Sequence, residues 1–168
     1  MRAVTHEEIQ QSIECIEEMS EKDSRQFLIE MSEEQPYIQI YVAAILERGD
    51  FTDEDDSDIF TNLVMITWHA MRQASGGNLG MVLGKDIEEF EDKILELYDY
   101  AQDEPDEDWP ELIHAWTERY NQRPLLEFIL QSLMSPHSQY CVSPNASGMI
   151  FTYLKVIVDS VDNAKING

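Results

Sequence analysis

The sequence predicts an all-α helical bundle of about seven to eight helices, and three observations carry that expectation. Proline and cap residues repeatedly stand just ahead of apolar stripes with helical spacing. The one stretch that could be read as a buried strand, 149–161, has no convincing partner strand nearby. A sequence pattern also recurs, with the same order of elements around it in each half of the chain.

The elements follow in order. Thr5 with Glu8 forms a capping box, and Ile9, Ile13, Ile16 and Met19 repeat with helical period behind it. Ser20 with Asp23 starts a second, short helix through Phe27, Leu28 and Met31. Pro36 suits the first turn of a third, which carries Ile38, Tyr41, Val42, Ile45 and Leu46 and stops at Gly49. Thr52 or Asp53 opens a fourth helix over about 54–74, ended by Gly76 and Gly77.

A fifth helix is expected over about 85–101, with Ile87, Phe90, Ile94, Leu97 and Tyr98 inward. An acidic linker at 102–108 contains Pro105. Pro110 begins a sixth helix to about Tyr120, and Pro124 a seventh to about Met134. After a loop at 136–144, Ser143 and Pro144 start an eighth, ending near Asn163.

The recurring pattern is I-F-T-x-L-x-x-I, at Ile59 to Ile66 and again at Ile150 to Ile157, an offset of 91. Upstream, residues 35–40 parallel residues 123–128 at an offset of 88, each pair containing a proline-started helix. The expectation is an internal duplication of a four-helix unit, with pseudo-repeats 1–84 and 85–168 inside one compact domain spanning 1–168. Residues 59–71 and 150–161, apolar nearly all round, would be the paired central helices.

Charge is the outlying property. The chain has 34 acidic and 11 basic residues, a formal net charge of −23. Such a surface excludes direct binding to nucleic acid or anionic membrane, which require a basic footprint. The excess is not spread evenly: residues 1–58 carry 17 acids against 4 bases, and residues 86–111 carry 13 acids against Lys93. Residues 59–85 and 112–168 are slightly basic and neutral, respectively. The densest clusters are Asp53, Glu54, Asp55, Asp56 and Asp58, and Asp103, Glu104, Asp106, Glu107 and Asp108. These are the candidate partner-binding residues.

The catalytic and metal-binding motifs that the sequence suggests each lack a required residue or a supporting context. The glycine-rich segment 76–85 lacks the early glycine of a phosphate loop, and Asp86 stands where Ser or Thr is needed. Asp53, Asp55, Ser57 and Asp58 begin like a calcium loop, but Asp58 replaces its turn glycine and Val64 its closing glutamate. Glu111 and His114 have the spacing of di-iron bundles without the second copy such a site needs. His137 and Cys141 share one polar loop, where a thiolate could in principle be activated, but incidental neighbours are the better reading. No catalytic residue, metal or cofactor is assigned, and a non-enzymatic protein is preferred. Asn145 heads a glycosylation sequon that is uninformative without a secretion signal.

Met1 to Glu8 lacks signal-peptide character, the longest apolar run is too short to span a bilayer, and Cys15 and Cys141 fit no paired spacing. The expectation is therefore a cytoplasmic protein with free thiols. Three functional readings follow. The leading one is an interaction module presenting an acidic face to a basic protein partner. A sharper form is a nucleic-acid mimic occupying a DNA-binding protein, which needs a dense extended array because duplex DNA carries a charge about every 1.7 Å. The third is an enzyme or ligand binder whose site converges from separate helices, with Trp68, His69, Trp109, His114, Trp116 and Tyr120 as the residues to inspect. Homo-oligomerisation through an apolar helix is also open.

Overall fold

The computed structural model is all-helical, and it describes residues 1–102 and 117–165. Seven helices occupy these residues: α1 (His6–Glu17), α2 (Glu21–Glu34), α3 (Pro36–Arg48), α4 (Glu54–Ala74), α5 (Gly84–Gln102), α6 (Arg123–Met134) and α7 (Pro144–Asn163). The expected helix from Pro110 lies largely outside the described residues. Segment 149–161 is helical, and the second helix is longer than its sparse apolar stripe suggested.

Local chemistry accounts for the boundaries. Thr5 accepts from the Glu8 amide while the Glu8 side chain caps Thr5 in return. Ser20 and Asp53 cap α2 and α4 with their side chains. Prolines stand in the first turns of α3, α6 and α7. Gly49 ends α3 at φ 71°, a left-handed conformation costly for other residues.

Helices α4 and α7 pack against each other at the centre. Leu63 through Trp68 are all buried on α4, as are Val156, Ile157 and Val158 on α7. Burial around the whole circumference requires neighbours on several sides, and the remaining helices supply them. α1 packs on α4 as α5 packs on α7, and α1 touches α6 as α5 touches α3.

Two buried glutamines reinforce this reciprocity. Gln35, just ahead of α3, donates to the Gly80 carbonyl at 2.8 Å and accepts from the Val82 amide at 3.0 Å. Gln122, just ahead of α6, donates to the Arg2 carbonyl at 3.1 Å and accepts from the Val4 amide at 2.9 Å. Each side chain thus holds the segment that leads into the first helix of the other half. The leaders themselves match: Thr5 donates its amide to the Glu8 carboxylate at 2.9 Å, and Leu83 donates its amide to Asp86 at 3.0 Å. Paired in this way, the buried backbone groups are satisfied without any strand.

Candidate partner-binding groove

The acidic cluster at the start of α4 divides on folding. Asp53, Glu54, Asp55 and Asp58 are exposed, and Asp53 accepts from the Asp55 amide at 3.0 Å as the helix cap. Asp56 is withdrawn from the surface at 2% exposure. It falls on the inward stripe with Phe60, Leu63 and Thr67, and it accepts from the Ser143 amide at 3.0 Å and hydroxyl at 2.6 Å. Asp56 therefore ties the start of α4 to the start of α7 and does not belong to the partner-binding set. Asp103, Glu104, Asp106, Glu107 and Asp108 lie outside the described residues.

Four aromatic rings organise this end of the bundle. Tyr153 of α7 meets Tyr41 edge-on at 6.2 Å and Phe60 at 6.0 Å, and Phe51 lies 5.4 Å from Phe60. The Tyr153 hydroxyl donates to Asp50 at 2.6 Å. Burial, and then this carboxylate, push its phenol up to about 12. The Tyr41 hydroxyl donates to Glu91 at 2.9 Å, and burial with the same carboxylate pushes its phenol up as well. Arg48 lies over the Tyr153 ring at 5.9 Å and 3.6 Å from Asp50.

Beside these rings a groove of about 580 Å³ runs between α5 and α7. Ile94 and Leu95 of α5 and Met149 and Tyr153 of α7 supply its apolar walls, with Arg48 and Glu91 at one end. Leu95 is 56% exposed. Tyr98 and Thr152 bridge the two helices by a 2.8 Å hydrogen bond.

The outer face of α5 adjoins the groove. At 100° per residue, Glu88, Asp99, Asp92 and Glu96 follow Leu95 around the helix as one stripe. All four are exposed, and none has an ion-pair or hydrogen-bond partner among the described residues. By contrast, acids of the final third are tied internally: Glu127 to Arg123, Asp159 to Lys155, and Asp162 to the Met1 amino group.

Of the residues singled out for a convergent active site, Trp109, His114 and Trp116 lie outside the described residues. Trp68 is buried against Phe27, with ring centroids 4.9 Å apart. His69 lines a polar cleft at the α1–α4 contact. Its Nδ1 lies 2.9 Å from the Ser12 hydroxyl and 3.0 Å from the Gln73 amide nitrogen. Ser12 has one hydroxyl proton and lies 2.7 Å from the Glu8 carbonyl as well as 2.9 Å from Nδ1, so it donates to one of the two, while the Gln73 amide lies within donating distance of both Ser12 and Nδ1. Burial, and then Arg72, lower the His69 pKa and so favour the neutral imidazole. Ser12 is fully buried, so its hydroxyl is closed to substrate. The cluster is a polar bridge between helices, without a carboxylate partner for the histidine among the described residues.

Tyr120 belongs to a second, apolar cavity of about 230 Å³ between α6 and α7. Its hydroxyl donates to Asp159, which also holds Lys155 at 2.6 Å, and the Lys155 ammonium sits 4.6 Å from the Tyr120 ring centre. The polar end of that cavity is neutralised internally. No described helix is long and apolar enough to cross a membrane.

Fold and surface together define an all-α protein with a groove bordered by carboxylates. The chain matches no protein-family model, no curated protein and no solved structure.

Proposed function

We propose that this is a non-enzymatic helical interaction module, built on two duplicated halves, that presents an acidic face to a basic protein partner. The observation that carries the reading is the row Glu88, Asp92, Glu96 and Asp99. Like charges at i,i+4 or i,i+3 each cost a helix about 0.2–0.5 kcal/mol. Stability alone does not favour such a row, whereas a cationic partner would relieve the repulsion on binding. The exposed acids Glu54 and Asp55 are favoured locally by the helix dipole and add to the protein's negative charge. Association steered by this field is fast and weakens steeply with salt. The reciprocal glutamine clamps support the duplicated construction.

The test is affinity capture from lysate of the source cell, using the wild-type chain and a variant carrying Glu88→Gln, Asp92→Asn, Glu96→Gln and Asp99→Asn. Basic proteins should bind the wild type at about 50 mM salt and leave at about 500 mM. The variant should retain little. An identical captured set from both chains removes the acidic-face reading, and no partner at either salt redirects attention to the cavities.

A further inference from the structure

Resting on that reading, we infer that the groove between α5 and α7 is the seat for one amphipathic, lysine- or arginine-bearing helix of the partner, its apolar face on Leu95 and Met149. Both features of such a ligand have a counterpart here. The apolar wall is available, since Leu95 is 56% exposed at the groove's edge. The cation-binding rim starts beside Leu95 on the same helix, in the stripe of Glu88, Asp92, Glu96 and Asp99. The chain shows how a guanidinium is received at this end, because Arg48 already lies over Tyr153 and near Asp50.

Size fits one short helical segment. The α7 wall runs from Asn145 to Tyr153, a rise of about 12 Å or just over two helical turns. Two turns present two or three anchors at i, i+3 and i+4, the usual grip of a helix in a groove. A second copy of this chain is the less suitable occupant, because it would bring another formal charge of −23 against the same rim.

The test uses fluorescence anisotropy with three labelled peptides: a leucine–lysine amphipathic helix, a scrambled sequence of the same composition, and oligolysine. The protein is the full chain, as wild type, as a Leu95→Gln, Met149→Gln variant, and as Ile40→Gln, a control on the exposed face of α3. Unchanged circular dichroism and melting establish that the variants fold.

The amphipathic peptide should bind wild type and Ile40→Gln alike, and the groove variant at least about tenfold more weakly. Scrambled peptide and oligolysine should bind wild type weakly. Equal binding of all three peptides, or full binding to the groove variant, overturns the groove assignment while leaving the acidic face in place. No binding by any cationic peptide overturns both. Self-association of the wild type that the groove substitutions abolish assigns the groove to a second copy instead.

Discussion

Replacing Gln35 or Gln122 by leucine tests whether the two halves hold one another as described. Leucine keeps most of the side-chain volume, so the loss is chiefly of hydrogen bonds. Gln35→Leu leaves the Val82 amide and Gly80 carbonyl without their partner, and Gln122→Leu does the same to Val4 and Arg2. A buried polar group stripped of its partner costs about 1–3 kcal/mol, and the added apolar burial returns part of that, leaving a net loss of about 2–4 kcal/mol in each variant. For a chain of this size, each kcal/mol lowers Tm by about 2–4 °C, so each variant should melt roughly 5–15 °C lower. Gln122→Leu should be the more costly, because Gln122 also donates to Asp162 at 2.7 Å.

Chemical denaturation gives the global effect, and amide hydrogen exchange locates it. The Val82 amide should lose protection in Gln35→Leu, and the Val4 amide in Gln122→Leu. Losses below about 0.5 kcal/mol in both variants, with exchange unchanged, would refute the clamp reasoning, since that is the scatter of neutral surface substitutions.

Further outcomes follow from the same structure. Asp56→Ala removes the acceptor for both the Ser143 amide and hydroxyl, and should destabilise the protein by about 2–4 kcal/mol in denaturant titration. Gly80→Ala places a Cβ 2.7 Å from the Ala164 carbonyl oxygen, so backbone must shift, and a loss of about 1–3 kcal/mol is expected in the same assay. His69 has a folded pKa below its unfolded value near 6.5, so its contribution is full above that pH and is lost as pH falls toward the folded pKa. Between about pH 7 and 5, His69→Gln should therefore lose less stability than wild type. Glu8 is held down to about 2, chiefly by its hydrogen bond to Arg2. Its contribution is present above about pH 4.5 and lost toward pH 2, and Glu8→Gln should show a shallower acid transition there.

Most helices were legible because their ends are local chemistry. Thr5 with Glu8, Pro36, Gly49, Asp53 and Pro144 mark boundaries that the structure places within a residue or so. α2 exceeds the short helix its pattern predicts because Phe27 and Met31 are its only buried positions, leaving little periodic signal. The inward turn of Asp56 was readable from its period with Phe60 and Leu63, but its residue type and acidic neighbours masked it. The glutamine clamps were not legible, since each joins residues far apart in sequence. Their leaders share little beyond Val4 and Val82, Glu8 and Asp86, and Ile9 and Ile87. The groove was hidden for the same reason: its walls, α5 and α7, meet only on folding.

The most direct measurement pairs melting temperature with affinity for a captured basic partner in the Glu88→Gln, Asp92→Asn, Glu96→Gln, Asp99→Asn variant. Removing three like-charge contacts should relieve about 1 kcal/mol of repulsion, raising Tm by roughly 2–4 °C. Over the same substitutions the affinity should fall and its dependence on salt should flatten. A row kept for a cationic partner requires these opposite movements. Unchanged affinity, whatever happens to Tm, would contradict the account.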